Sequence, residues 1–163
     1  MVQSGRLLGF IVSNDEICVD PLKIKAIVNL PPPHTVLQHP SLQGKANFLR
    51  RFIANYAELT KGFMCLLKKG VPFIWDDQAQ HSFNALKHAL TSTLVLQPPN
   101  YNQYFLLYLA TSDSSIGMAL VQTDDDHIEH VIYYLSKGVV GIELRYPHVE
   151  KLALVAAFVV QWF

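Results

Sequence analysis

Residues 104–122, YFLLYLATSDSSIGMALVQ, form the stretch of this sequence best placed to carry chemistry. The uncharged run 104–109 predicts a strand buried on both faces, and the apolar run that begins at Ile116 predicts its partner. The short polar residues between the two runs predict a hairpin bend, and this bend carries one carboxylate, Asp113. A carboxylate in this position can cap the turn or ligate a divalent cation, because its oxygens suit both roles.

Other side chains used in catalysis form no recognisable cluster along the chain. The seven histidines show no ligand spacing, and since His81 and His88 are two helical turns apart, they cannot share one zinc ion. We therefore expect the histidines to lie on the surface. Cys18 and Cys65 have no paired spacing and are expected to be buried free thiols of a reducing compartment. The sequence contains no nucleophile elbow, phosphate-binding loop or dinucleotide-binding motif.

Charge is unevenly divided along a chain whose net charge is zero. There are ten basic and six acidic residues up to Pro98, against three basic and seven acidic residues beyond it. This division predicts two modules with different partners. Half of the residues are apolar, which excludes a disordered chain, and the zero net charge argues against a globally basic nucleic-acid binder.

Strand and helix signals alternate through the first 98 residues. The β-prone runs 7–13 and 16–20 flank Asn14 and Asp15, a pattern that predicts a small hairpin. Asp20 and Pro21 are favoured at the start of a helix, so we predict a helix over 21–29 that ends before the three prolines at 31–33.

Further helices are predicted at three places in the chain. The first begins at Ser41, because Pro40 would interrupt an earlier start. The second covers about 57–68 and ends in a basic last turn with a glycine cap at 68–70. The third covers about 77–91, capped by Asp76 or Asp77, and follows an extended segment over 71–75.

The chain after the central hairpin contains one more strand signal and one more helix signal. Residues 131–135 predict a third strand, and Pro147 opens a predicted helix from His148 to the C-terminus. No apolar run reaches the roughly 18 to 20 residues of a membrane helix, and no signal peptide is apparent. We therefore expect an intracellular protein, cytoplasmic or nuclear, without a membrane partner.

The central hairpin resembles the opening hairpin of the RNase H domain in gypsy-type LTR-retrotransposon Pol polyproteins, whose motif is approximately F-x-L-x-T-D-A-S-D-x-x-I-G-A-x-L-x-Q. The residues that match are Phe105, Leu107, Ser112, Asp113, Ile116, Gly117, Leu120 and Gln122. This resemblance places the family's first metal-binding aspartate at Ala110. Because a methyl group cannot ligate Mg²⁺, the motif is present without its first ligand.

From Leu8 onward the chain is similar to the end of the reverse transcriptase palm, the thumb and the connection of the same family. The similar segments, in order, are LGFIVS, VDPLKIKAI, PPP, RRFI, LLKKG, FIW, SFNALK, LTS and LVLQP. The resemblance covers nearly the whole chain and implies an α+β fold. A helical thumb and connection module, residues 1–98, is expected before a truncated RNase H-like domain, residues 99–163, with a three-stranded antiparallel sheet plus a helix.

The resemblance further implies a parent polyprotein that synthesises DNA on RNA and cleaves RNA–DNA hybrids with Mg²⁺. The family's catalytic glutamate lies in Y-P-x-x-E-K-E-L-L-A, here YPHVEKLALV, and its position is occupied by Leu152. The third and fourth carboxylates of the family belong to segments after Phe163. We therefore expect a catalytically inactive chain with no metal ligands and no cofactor.

Two groups of acidic residues remain as alternatives to that lost site. Glu150 lies about 200° around the helix from Leu152, so we expect Asp113 to be a turn or strand-end cap and Glu150 a first-turn residue, rather than a substitute pair. The adjacent aspartates at 124–126 are expected to form a solvated hairpin tip, because the family's polymerase aspartates lie before Leu8.

Nucleic-acid binding is the activity that the resemblance leaves open. In the family the thumb helices grip a primer–template duplex, and the basic residues in corresponding helices here are Lys45, Arg50, Arg51, Lys68 and Lys69. The resemblance implies weak, salt-dependent binding of an RNA–DNA or DNA duplex, and a merely solvated basic face is the alternative. A truncated sheet would also leave an open strand edge, which predicts self-association or a protein-interaction module.

Overall fold

The computed structural model describes residues 4–33, 35, 39–67, 71–92 and 94–162. Its strands are β1 (Ser4–Leu7), β2 (Phe10–Ser13), β3 (Ile17–Val19), β4 (Val95–Leu96), β5 (Leu106–Thr111), β6 (Ser115–Thr123) and β7 (Glu129–Gly138). Its helices are α1 (Pro21–Val28), α2 (His39–Leu49), α3 (Tyr56–Met64), α4 (Asp77–Thr91) and α5 (His148–Trp162). Short 3-10 turns cover Arg50–Phe52, Cys65–Leu67 and Gly141–Arg145. This content confirms the α+β prediction.

The first sheet is antiparallel, with strand order β1-β2-β3-β4. The predicted hairpin around Asn14 and Asp15 is confirmed as β2 and β3, but the run 7–13 is not one strand. Leu8 and Gly9 have φ angles of 51° and 86°, so the chain turns back there and adds β1. Glycine adopts positive φ at little cost, and it was the only signal for this extra turn.

The predicted start of α1 agrees with the structure, whereas the predicted start of α2 does not. The Asp20 carboxylate accepts a hydrogen bond from the backbone N–H of Leu22 at 2.9 Å, and Pro21 occupies the first turn of α1. The predicted start of α2 at Ser41 is wrong, because the helix begins at His39 and contains Pro40 in its first turn. Proline is tolerated there, since the first N–H groups of a helix have no partner within it.

Helices α3 and α4 pack closely around a glycine. A Cβ atom at Gly62 would lie 2.7 Å from the Gln78 carbonyl oxygen and would overlap the Ser82 side chain. The contact also buries Phe63 and Phe83 completely, with their rings edge-to-face at 6.3 Å. Helix α4 has the predicted bounds, whereas α3 ends at Met64, earlier than expected. The predicted basic last turn and glycine cap at 68–70 lie outside the described residues.

The second sheet is the predicted three-stranded antiparallel sheet, in the order β5-β6-β7, and α5 packs against it. The predicted burial of the first strand on both faces is wrong. Within the described part of the chain β5 pairs only with β6, and Leu106, Leu107 and Tyr108 are 41%, 43% and 50% exposed. An apolar run does not reveal how many strands flank it, and here it forms an edge.

Candidate functional site

The turn between β5 and β6 is closed by the hydroxyl of Ser112. Its oxygen accepts hydrogen bonds from the backbone N–H groups of Ser114 at 3.3 Å and Ser115 at 3.0 Å. The prediction that Asp113 caps this turn is wrong, because the Asp113 side chain is exposed and the shorter Ser112 side chain reaches these donors instead. Asp113 does lie in the bend, as predicted.

Lys151 of helix α5 donates hydrogen bonds to this turn. Its side chain is buried, with the whole residue 6% exposed, and its Nζ donates to the carbonyl oxygens of Ser112 at 3.3 Å and Asp113 at 3.0 Å. Sequence reasoning missed this residue because lysines are usually solvated. A signal was present, since Lys151 precedes the buried Val155 and Val159 at four-residue intervals on one helix face.

The two positions that the family resemblance assigns to metal ligands lie on elements that pack together. Ala110 is in β5, in register with Gly117 of β6, and its side chain is exposed. Leu152 is half-buried in α5, directly after Lys151, and Glu150 is exposed in the first turn, as predicted. Hydrocarbon side chains have no lone pairs, so these two residues do not fit a Mg²⁺ site.

Other acidic residues offer no substitute within the described residues. No group of three or more histidine, cysteine or acidic side chains stands close enough there to hold a metal ion. The carboxylate of Asp124 instead accepts hydrogen bonds from the N–H groups of Asp126 and Ile128 at 2.9 and 2.8 Å, and its second oxygen lies 2.7 Å from Nε2 of His130. The pKa of Asp124 is lowered, mainly by the hydrogen bond with His130. The predicted hairpin tip at 124–126 is thereby confirmed.

Among the predicted basic residues that the structure describes, Lys45 is exposed, and Arg50 and Arg51 lie over aromatic rings. Lys45 is exposed on α2. The Arg50 guanidinium carbon lies 4.5 Å from the ring centroid of Trp162 in α5. The Arg51 guanidinium carbon lies 5.6 Å from the Phe10 ring and 5.5 Å from the Tyr133 ring, between the two sheets. Lys68 and Lys69 lie outside the described residues.

The start of α3 docks on the second sheet through polar contacts. Glu58 Oε2 accepts hydrogen bonds from the hydroxyls of Ser114 at 2.7 Å and Ser112 at 3.4 Å. The backbone N–H of Ala57 donates to the Ser136 hydroxyl at 2.9 Å. The pKa of Glu58 is lowered, chiefly by the hydrogen bond from Ser114. These contacts set the position of α3 relative to the turn that carries Asp113.

The cysteines and histidines have the following environments. Cys65 is exposed in the 3-10 turn after α3, so the prediction of a buried thiol is wrong there, and Cys18 is half-buried in β3. Burial raises the pKa of the Cys18 thiol, with a further contribution from Glu16. His81, His88, His127 and His148 are exposed, as predicted, whereas His130 is half-buried. His34 and the side chain of His39 lie outside the described residues. Among the described residues no helix is long and apolar enough to cross a membrane.

Comparisons with known proteins show which family the sequence resembles. Residues 75–163 match the model of the RNase H-like domain found in reverse transcriptase, a range that includes α4. The Pol polyprotein from transposon opus of Drosophila melanogaster is 35% identical over 155 residues, which is 88% of this chain. The Pol polyprotein from transposon 297 of the same species is 30% identical over 99% of the chain. The chain spans 15% of the length of each of these relatives.

Solved structures have the same fold at low sequence identity. The foamy viral protease-reverse transcriptase in complex with an RNA/DNA hybrid superposes with a TM-score of 0.84 at 20% identity. That match covers 97% of this chain and 21% of the viral one. The same viral protein in complex with double-stranded DNA gives a TM-score of 0.83.

Proposed function

Because the chain belongs to the gypsy-type Pol polyprotein family, and residues 75–163 to its RNase H-like domain, we propose that it is a non-catalytic segment of a reverse transcriptase polypeptide. The parent polypeptide would synthesise DNA on RNA and cleave RNA–DNA hybrids, in an intracellular setting. In this proposal residues 1–98 act as the palm end, thumb and connection, and residues 99–163 as the RNase H-like part.

The observation that supports a non-catalytic role is the pair of hydrocarbon side chains at Ala110 and Leu152. Hybrid cleavage in the family relies on two metal ions held by shared carboxylates, so the loss of two such ligands removes the groups that position the ions. The exposed carboxylates of Asp113 and Glu150 form no metal-binding group with other described residues. The domain would then contribute packing and binding rather than cleavage.

A hybrid-cleavage assay tests this proposal directly. The purified chain and an Ala110→Asp/Leu152→Glu variant are incubated with a labelled RNA–DNA hybrid, with Mg²⁺ or with chelator. We expect the unaltered chain to leave the RNA intact in both conditions, as in a protein-free sample. Mg²⁺-dependent degradation by the unaltered chain, abolished by chelator, would overturn the proposal. The double variant shows whether these two positions alone limit the activity.

A second candidate function is binding of a nucleic-acid duplex through the basic surface around α2. Lys45 and Arg51 are both exposed, although the Arg51 guanidinium also lies over two aromatic rings. The related viral protein was solved with an RNA/DNA hybrid and with double-stranded DNA, which supports a duplex as the ligand. Phosphate contacts release counterions, so the affinity should fall steeply as salt is raised.

Fluorescence anisotropy with a labelled hybrid distinguishes this candidate from a protein-interaction role. Duplex binding predicts a loss of affinity with rising salt and a weaker complex for Lys45→Ala than for Lys25→Ala. Lys25 is an exposed lysine of α1 and serves as the matched control. Pairing through the open edge of β5 predicts instead a dimer whose stability is insensitive to salt. Salt-independent anisotropy, equal for both variants, would argue against the duplex.

A further inference from the structure

Strand β5 is an open edge of the second sheet, and its sequence carries none of the usual protection of such an edge. Among the described residues it pairs only with β6, in unbroken register from Leu106 to Thr111. Residues 103–112 contain no charge and no proline, and the pairing of β5 with β6 contains no bulge. Since soluble proteins use these three features to keep an edge strand from pairing with another chain, the edge of β5 is suited to pair.

The hairpin geometry shows which backbone groups lie along this edge. The N–H of Ser112 donates to the carbonyl oxygen of Ser115, at 2.8 Å. Because alternate residues of an antiparallel strand direct both backbone groups to the same neighbour, the even-numbered residues of β5 face β6. Leu107, Leu109 and Thr111 therefore direct their N–H and C=O groups away from the sheet, toward the place of a further strand.

Helix α5 carries a second apolar surface beside this edge. It packs on β5 and β6, and residues 152–162 contain no charged side chain, which is typical of a helix that is covered on more than one side. The ring of Phe158 lies 5.3 Å from Nζ of Lys137 in β7, so this flank of the helix faces away from the open edge. By helical spacing, Leu152 and Ala156 lie on the opposite flank, toward the edge of β5.

We propose that the edge of β5 pairs with the same edge of a second copy of this chain, across a two-fold axis at Tyr108. In this antiparallel register Leu107 of each copy lies opposite Leu109 of the other, and the outward backbone groups of both strands are hydrogen-bonded. The two three-stranded sheets then become one continuous sheet. Both α5 helices lie on the same face of it, about 10 Å apart, which is the usual distance between packed helices.

Polar residues at the two ends of β5 favour this occupant and this register. Asp113 carries the charge nearest to the strand in sequence, and in this register it lies opposite Gln103 of the other copy, whose exposed amide is a hydrogen-bond donor. The two Asp113 carboxylates lie about 33 Å apart along the seam, so they do not repel each other. A shift of the axis by one residue would place Asp113 opposite the ring of Tyr101 or Phe105 instead. The pairing depends neither on duplex binding nor on the loss of cleavage.

The association constant of the full chain tests the pairing. Strand and helix flank supply roughly 15 residues from each copy, fewer than the 20–30 of a standard interface, so we expect a dimer with a micromolar dissociation constant. Sedimentation velocity from about 1 to about 200 µM protein measures it. Leu107→Lys places a charge in the seam and should raise the dissociation constant at least about tenfold. Ile128→Lys, at a position that is 56% exposed and outside β5, is the matched control and should associate as the unaltered chain does.

Disulfide cross-linking tests the register independently of the lysine variants. In a Cys65→Ser background, which removes the exposed native thiol, Tyr108→Cys should form a cross-linked dimer on mild oxidation, because the two positions face each other on the axis. Leu106→Cys, on the same face of β5, is the control. Its two copies lie about 13 Å apart, beyond the reach of a disulfide, so it should cross-link at least about tenfold more slowly.

Three outcomes would overturn the proposal. The first is a chain that stays monomeric over the whole concentration range. The second is equal association of Leu107→Lys and Ile128→Lys, with melting temperatures in dilute solution showing that both variants are folded. The third is cross-linking of Tyr108→Cys and Leu106→Cys at the same rate.

Discussion

The guanidinium of Arg50 lies 4.5 Å from the ring centroid of Trp162, although the two residues are far apart in the sequence. Arg50 is in the 3-10 turn after α2, and Trp162 is in the last turn of α5. A cation over an aromatic face is attracted by the ring quadrupole. This contact connects the helical part of the molecule to the helix that covers the second sheet.

A double-mutant cycle should show energetic coupling between these two residues. We expect Arg50→Ala and Trp162→Ala each to destabilise the chain, with a coupling free energy of about 0.5–1 kcal/mol, typical of an exposed cation–π contact. Urea unfolding of the two single variants and the double variant measures it. Strict additivity of the two losses would show that the contact contributes nothing to stability.

Gly62 should tolerate no side chain. The Gly62→Ala substitution places a methyl group against the Gln78 carbonyl and the Ser82 side chain of α4, and should destabilise the chain by about 1–3 kcal/mol. Gly44 in α2 is the matched control, because no described atom lies within 4 Å of its added Cβ. There alanine should stabilise by about 0.5–1 kcal/mol through its higher helix propensity. Equal shifts in melting temperature at both positions would contradict the close packing of α3 and α4.

Lys151 should stabilise the chain through its two carbonyl contacts. The Lys151→Met variant keeps the length of the side chain but removes the donor, and should destabilise by about 1–3 kcal/mol because the turn carbonyls lose their partner. Lys25→Met, at an exposed position of α1, should change the unfolding free energy by no more than about 0.5 kcal/mol. A gain in stability for Lys151→Met would mean that burying the ammonium costs more than its hydrogen bonds return.

The lowered pKa of Glu58 predicts acid sensitivity of the docked α3 helix. A carboxyl whose folded pKa lies below its unfolded value adds stability above the unfolded pKa, and that stability is lost as the pH falls through the folded pKa. Asp124 and Glu143 also have lowered pKa values, so the whole chain should lose stability in acid.

The Glu58→Gln variant measures how much of the loss of stability in acid comes from Glu58. The difference in unfolding free energy between the variant and the unaltered chain should shrink as the pH falls from about 7 to about 3, since the carboxylate is progressively protonated. Chemical unfolding at several pH values measures this difference. A difference that stays constant over the range would show that the Ser112 and Ser114 hydroxyls do not favour the ionised form.

Several parts of the candidate site could be predicted because their signals are local. The Asp20 cap and Pro21 marked the start of α1, and the small polar residues at 112–115 marked a turn. The occupants of positions 110 and 152 are also read from the sequence alone, since they follow from the order of residues in two motifs. Such features depend on neighbours a few residues away.

The features that sequence reasoning missed depend on contacts between distant segments. Strand β5 is exposed because, among the described residues, it pairs with β6 alone. Lys151 is buried because its side chain donates hydrogen bonds to the turn at Ser112 and Asp113, which is distant in sequence. The resemblance implied that Arg50 and Arg51 contact nucleic acid, and the structure adds contacts with the rings of Trp162, Phe10 and Tyr133 that the sequence does not show. The α+β order of elements and the hydrocarbon side chains at Ala110 and Leu152, where the resemblance places metal ligands, are legible in the sequence because both are properties of short segments. Among the described residues, the buried position of Lys151 and the ring contacts of Arg50 and Arg51 come from the packing of separate elements, which short segments of sequence do not encode.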